Sequence, residues 1–373
     1  MAHKIPLFKI LWDEEDVESV GREIKSGMNW AVGPRVEEFE KLIADYIGTK
    51  HAAVFNSGTS ALHSVLMAHG IGKADEIIVP SFTFIATANS PLFVGAKPVF
   101  ADIEGETLGL DPESVEKNIT GKTKAILPIH YGGCPCKIEE LRKIADDHDL
   151  ILIEDAAEAF GAGIGNKNVG TFGDSAVLSF CQNKIITTGE GGAVVTDSKE
   201  LYEKLLLLRS HGRLETADYF TSAGLFDYID IGYNFRMSNI TAALGISQMS
   251  KVDDVINMRR SNSEYLTRRI LEETDQLTPL HPPEGYKHVY QLYTIIAEQR
   301  DELISYLKEN NIISKIYFDP VHLSHFYKEK LGYNCDLPVT EDMARRTITL
   351  PMYPSLSQDD MDFMAETIGK FYR

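Results

Sequence analysis

Hydrophobic and polar positions fall into two rhythms along the chain. Val17, Val20 and Ile24 sit at helical spacing and predict an opening helix with one apolar face. Gly33-Pro34 breaks that pattern, and Val36, Phe39, Leu42, Ile43 and Tyr46 predict a second amphipathic helix. Short apolar runs follow at 51–55, 75–80, 97–102, 123–130, 150–153, 175–180 and 192–196, separated by helical stretches. Runs this continuously apolar predict strands buried on both faces. The expected fold is α/β, a mainly parallel seven-stranded sheet flanked by helices. Ligands of such sheets bind beyond the carboxyl ends of the strands. Ser57, Thr59, Asp155 and Ser179 stand at those ends.

After Asn239 the rhythm changes. Residues 240–271 predict one long helix or two broken ones. Strands are expected at 289–297 and 313–318, a helix at 301–310 and a closing helix from Gln358. We therefore expect a large domain over 1–250, with its N-terminal helical segment, and a smaller α+β domain over 251–373.

Composition narrows the function. The chain has 373 residues, a hydrophobic content of 43% and a net charge of −18. That apolar content supports a packed core and excludes a disordered chain. The acidic excess disfavours nucleic acid as a partner, because phosphates are repelled. Any anionic ligand then needs a local basic or dipolar pocket. Met1-Ala2-His3-Lys4-Ile5-Pro6 leading into Asp13-Glu14-Glu15-Asp16 does not resemble a signal peptide, and no apolar run reaches the ~18 residues that span a bilayer. A cytoplasmic protein with no membrane partner is expected. Cys134-Pro135-Cys136 lacks a second ligand pair for zinc, so no metal is expected, and the four cysteines are read as reduced buried thiols.

Lys184 lies between two apolar strands in a loop rich in threonine and glycine. A lone lysine is ordinarily a surface residue. Enzymes that use pyridoxal phosphate (PLP), however, need a lysine amine for a Schiff base and an acid beside the pyridinium nitrogen. Asp155 ends an apolar strand and is either that acid or the cap of a helix begun by Ala156-Ala157. Ser57-Gly58-Thr59 at a strand-to-helix turn offers N–H groups and a helix dipole to a phosphate, or simply caps the helix. Phe82 and Phe84 are each either a stacking ring or core.

Five segments carry a resemblance. They are Asn56-Ser57-Gly58-Thr59-Ser60-Ala61-Leu62-His63, Val79-Pro80-Ser81-Phe82-Thr83-Phe84-Ile85-Ala86-Thr87-Ala88-Asn89, Ile153-Glu154-Asp155-Ala156-Ala157-Glu158-Ala159, Asn183-Lys184-Ile185-Ile186-Thr187-Thr188-Gly189-Glu190-Gly191-Gly192, and Gly232-Tyr233-Asn234-Phe235-Arg236-Met237. With Pro320-Val321-His322-Leu323 and Leu350-Pro351-Met352-Tyr353-Pro354, they resemble in order and spacing the DegT/DnrJ/EryC1/StrS sugar aminotransferases, of PLP fold type I. The resemblance spans nearly the whole chain.

It implies that Lys184 is the Schiff-base lysine and Asp155 the pyridinium partner. It implies Phe84 as the stacking ring, in preference to Phe82. Ser57, Gly58, Thr59 and Ser179 match phosphate ligands, and Glu158 lies near the ring hydroxyl. Asn234 matches a residue reaching the phosphate of a neighbouring subunit, which implies a homodimer with shared sites. Some relatives carry histidine for the lysine and are dehydratases. Lys184 favours transamination from glutamate to a nucleotide-linked keto sugar. The histidine that many members carry three residues earlier is Cys181 here.

The motifs most resemble the perosamine branch, whose members aminate C4 of a GDP-linked 4-keto-6-deoxy sugar. UDP- or dTDP-linked sugars, amination at C3 and a non-catalytic PLP-binding regulator are the alternatives. Arg236, His322 and Trp30 are candidate substrate contacts. Lys25 and Arg35 are read as surface or ion-paired residues first.

Overall fold

The computed structural model describes residues 4–213 and 227–373. Its centre is a seven-stranded sheet. Five of its strands come early: β1 (His51–Phe55), β2 (Glu76–Pro80), β3 (Lys97–Ala101), β4 (Thr123–Ile126) and β5 (Ile151–Asp155). Between these and the last two lie the short strands β6 (Gly163–Ile164) and β7 (Lys167–Asn168). β8 (Ser175–Ser179) and β9 (Gly192–Thr196) complete the order β1-β9-β8-β5-β4-β2-β3. β9 runs antiparallel to both its neighbours, and the remaining pairings are parallel.

Successive residues of the strands point to opposite faces, and both faces are buried. Val54, Leu178 and Val195 pack with Phe39 and Ile43 of helix α2 (Pro34–Ile47). Phe55, Val177 and Val194 pack on the other side. Their partners there are Leu62 and Val65 of α3 (Gly58–Ala68), Ala88 of α4 (Ile85–Phe93) and Leu205 of a later helix at Lys199–Arg209.

The opening helix α1 (Glu14–Ser26) forms as expected but presents a different face. Val17 and Ile24 are exposed, whereas Asp16 and Ser19 are buried. Ser19 Oγ donates to the Ala243 carbonyl at 2.8 Å, and Asp16 accepts from Gln248 Nε2 at 2.9 Å and Lys251 Nζ at 2.8 Å. Hydrogen bonds to the helix at Asn239–Met249 therefore decide its orientation, not its apolar stripe.

Beyond Asn239 two helices appear, Asn239–Met249 and Val252–Glu273. The second helix serves two cores: Val252, Val255 and Ile256 join the large sheet, while Leu266 and Ile270 join a C-terminal cluster. That cluster covers an antiparallel sheet of β10 (Leu277–Pro279), β12 (Tyr293–Ala297) and β13 (Thr347–Leu350). β11 (Tyr286–Lys287) pairs instead with β6. The strand expected over 289–297 begins only at Tyr293, because residues 289–292 turn aside to bond Gly132 and Gly133. The run 313–318 is not a strand; Lys315 alone bridges to Thr349. The helix at Pro338–Arg346 and β13 were not anticipated.

Ile5 lies in this C-terminal core, 1% exposed. Its N–H donates to the Asn311 carbonyl and its carbonyl accepts from the Ile313 N–H, both at 3.0 Å. No described helix is long and apolar enough to cross a membrane. Cys134 and Cys136 are buried, and Cys181 and Cys335 are only half-buried; all four are free thiols. Burial raises the Cys134 thiol to about 12.

Truncating Ile5 opens a cavity in the C-terminal hydrophobic core. Ile5→Ala is expected to lower unfolding stability by about 2–4 kcal/mol, read from urea melts. A loss under about 1 kcal/mol would show that the core collapses around the vacancy.

Candidate active site

The last two residues of β5 carry adjacent carboxylates, and the strand's alternation sends them to opposite faces. Glu154 is wholly buried and anchors structure. It accepts from the N–H groups of Gly170 (2.8 Å), Phe172 (2.8 Å) and Gly173 (2.7 Å), and lies 3.0 Å from His130 Nε2. Asp155, 2% exposed, accepts from Thr87 Oγ1 at 2.7 Å and from the Ala157 N–H at 3.1 Å. Thr87 in turn meets Thr83 Oγ1 at 2.8 Å. Burial raises the Asp155 pKa above the usual carboxylate value. The Thr87 and Ala157 hydrogen bonds and the charge of Lys184 oppose that rise, and Glu158 adds to it.

Lys184 approaches from the loop between β8 and β9. Its Nζ donates to Glu158 Oε1 at 3.3 Å, and its side chain is 14% exposed. Glu158 Oε2 accepts from the Gly132 N–H at 2.9 Å, so the carboxylate is held from behind. The loop itself is pinned by Phe180 N–H to the Gly191 carbonyl and by Lys184 N–H to the Cys181 carbonyl.

Ser57 caps α3, accepting from the Ser60 N–H at 3.1 Å. Gly58 and Thr59 follow in the first turn, where helix N–H groups lack intrahelical partners. A Cβ on Gly58 would stand 3.2 Å from Ser179 Cβ, and one on Gly192 would stand 2.6 Å from the Gly58 nitrogen. Only glycines let the helix start nest against the ends of β8 and β9.

Of the two candidate rings, Phe82 is fully buried against Tyr131, whereas Phe84 is 57% exposed. Asn234 is exposed, and its carbonyl lies 3.4 Å from Asn56 Nδ2 beside the α3 turn. Arg236 Nη1 donates to Ser210 Oγ at 3.2 Å. His322 is not open to solvent: it is buried, with Nδ1 2.6 Å from Ser81 Oγ and Nε2 3.4 Å from Glu341. Trp30 is half-exposed, and its Nε1 donates to the Glu23 carbonyl at 3.1 Å. Arg35 pairs with Glu23 and Glu38, which leaves it an ion-pair residue. Sequence reasoning passed over Thr87 and the anchoring role of Glu154. Two consecutive acids in a strand buried on both faces were the available signal, since each must find donors.

The raised pKa of Asp155 has a sign that can be checked without cofactor. A carboxylate whose folded pKa is raised costs stability above its unfolded pKa, and that cost fades as pH falls through the folded value. Asp155→Asn should therefore raise cofactor-free stability relative to the parent more at pH 7 than at pH 4, by thermal melts of both proteins. An equal difference at both values would show that burial is fully offset.

Comparison with known proteins accords with this geometry. The DegT/DnrJ/EryC1/StrS aminotransferase family pattern matches residues 11–369. The GDP-perosamine synthase of Escherichia coli O157:H7 is 37% identical over 372 residues, covering 99% of this chain and 98% of that one. The solved structure of Helicobacter pylori PseC, an aminotransferase involved in the biosynthesis of pseudoaminic acid, superposes with a TM-score of 0.92 at 32% identity, covering 99% of each chain. The PLP form of the putative sugar aminotransferase Spr1654 from Streptococcus pneumoniae gives a TM-score of 0.92 at 26% identity, over 99% of this chain and 98% of that one. The chain therefore belongs to the DegT/DnrJ/EryC1/StrS aminotransferase family and is a PLP-dependent sugar aminotransferase.

Proposed function

We propose that this enzyme moves an amino group from glutamate to C4 of GDP-4-keto-6-deoxymannose, the amination of perosamine synthesis. The observation that carries a transaminase reading is Lys184 Nζ on Glu158, within electrostatic reach of the buried Asp155. The full-length likeness to GDP-perosamine synthases supports the choice of sugar.

The residues fit PLP. Gly58 and Gly192 seat the α3 N-terminus against the ends of β8 and β9, and its first-turn N–H groups, with Ser57, Thr59 and Ser179 beside them, would hold the phosphate. Asp155 is a buried carboxylate that a ring cation would satisfy. Glu158 would meet the ring hydroxyl, and Phe84 offers an exposed aromatic face. When bound, PLP supplies the electron sink that makes the donor's α-proton removable. Lys184 then holds and returns that proton, which is the work of a positioned amine. Glu158 orients the ammonium, and Asp155 would face the ring nitrogen and favour positive charge there.

Trp30 and Arg236 are the substrate contacts of this reading; His322 is enclosed by Ser81 and Glu341 and is not one of them. Asn234 completes the phosphate site of a second copy. Exposed Trp30, Phe84, Ile229 and Ile231 are compatible with a homodimer that covers them. A cytoplasmic setting suits a nucleotide-sugar substrate.

The deciding measurement offers GDP-, UDP- and dTDP-linked 4-keto and 3-keto sugars with glutamate and PLP, read by mass spectrometry. An aminated GDP sugar is expected. Amination of a UDP or dTDP sugar instead would reassign the nucleotide, and PLP binding without any turnover would identify a non-catalytic regulator. Lys184→Ala should lower turnover by about 10²–10⁴-fold or more.

A further inference from the structure

One short segment, residues 288–292, crosses behind the site and touches both halves of it. The Leu292 N–H donates to the Gly132 carbonyl and the Val289 N–H to the Gly133 carbonyl, each at 3.0 Å. Gly132 is the residue whose N–H holds Glu158. The crossing is too close for side chains. A Cβ on Gly133 (φ +92°) would lie 2.6 Å from Val289 Cγ2 and 3.1 Å from the Gln291 nitrogen. On the other half, Gln291 Nε2 donates at 2.5 Å to the carbonyl of Asn183, the residue before Lys184.

The segment is clamped from its far side. Arg259 is fully buried, and its Nη1 donates to the carbonyls of Tyr290 (2.9 Å), Met352 (3.1 Å) and Gln291 (3.5 Å). Burial lowers its pKa to about 10, which still leaves it charged at neutral pH. Gln291 itself is 5% exposed, and its Oε1 is buried without a hydrogen-bond partner among the described residues. A buried amide with one unfilled end costs stability relative to an apolar residue of the same shape. Its donor end faces a carbonyl, so flipping the amide would set oxygen against oxygen.

We infer that Gln291 is a positioning residue for transamination: by holding the Asn183 carbonyl it sets the reach of Lys184 Nζ, while the same segment holds Glu158 through Gly132. This rests on the aminotransferase reading of Lys184. The Gln291 amide makes its hydrogen bond to Asn183 rather than to the lysine amine or Glu158, so its effect should fall on the rate of proton movement rather than on affinity. Misplacing a reacting group by about 1 Å costs on the order of 10²-fold.

The test mixes PLP-loaded enzyme with glutamate and follows the spectral change of the bound cofactor. Gln291→Leu keeps the volume and removes the donor. It should slow the change at saturating glutamate by at least about tenfold, with half-saturation, PLP content and melting temperature nearly unchanged. Gln291→Glu should be as slow at about pH 8. Its rate relative to the parent should recover as pH falls toward about 6, when the new carboxyl gains a proton and donates to Asn183 again.

A Gln291→Leu rate within twofold of the parent overturns the inference. So does a Gln291→Glu ratio as flat with pH as that of Gln291→Leu, or a slow rate matched by proportional loss of PLP or of melting temperature. If the parent itself gives no change with glutamate, the aminotransferase reading of Lys184 fails, which is a different result from a parent and variant that react alike.

Discussion

Everything at this site depends on the register of one strand. Glu154 and Asp155 are consecutive, so the pleat must send one carboxylate to each face of the sheet. Pairing with β8 fixes which goes where: Ile153 lies opposite Ser175, Glu154 opposite Ala176 and Asp155 opposite Val177. A slip of one residue would turn Asp155 toward the three N–H groups of 170–173 and Glu154 toward Thr87. The four donors around Glu154 oppose that slip. Glu154 thus secures the geometry that Asp155 uses.

The surroundings solve an electrostatic problem that net charge makes worse. An acidic protein that binds phosphorylated molecules must concentrate positive potential locally. In the reading proposed above the means are the turn at Ser57-Gly58-Thr59 and the ammonium of Lys184, each brought to the end of the sheet by close backbone packing. Glycines at 192 and 133 permit that packing, because a Cβ there would stand 2.6 Å from its neighbours, and one on Gly58 or Gly132 would come almost as close, at 3.2 and 3.3 Å. Buried carboxylates then face donors that do not move, so little reorganisation accompanies a change of charge.

Much of this was legible in the chain. Continuous apolar runs located all seven central strands, since burial on both faces leaves a plain signature. Asp155 could be placed at a strand end, but only the resemblance singled out Lys184 from an ordinary surface lysine and Asp155 from a helix cap. Other features were hidden because distant contacts decide them. Val17 and Ile24 mark a correct helix but a wrong face, since Asp16 and Ser19 dock it through hydrogen bonds. Residues 313–318 look like a strand, yet only Lys315 finds a strand partner. Of Phe82 and Phe84, spacing alone could not say which is core. His322 reads as a surface cation, yet it is enclosed by Ser81 and Glu341. Gln291 gives no local sign, because its partner is more than a hundred residues away.

The place of Ile5 bears on how the molecule is made. Its neighbours Asn311 and Ile313 leave the ribosome roughly three hundred residues later, a contact of very long sequence separation. Until then Ile5 lacks both of these main-chain partners. Residues Phe8 to Leu11 continue from Ile5 along the back of Gln182, Asn183 and Lys184, lining one small cavity with them. The wall behind the lysine is therefore among the last parts to close. The strands of the large sheet are all present by Thr196, whereas the contacts that anchor Ile5 wait for residues 311–313. Ile5 acts as a seal that residues 311–313 must set.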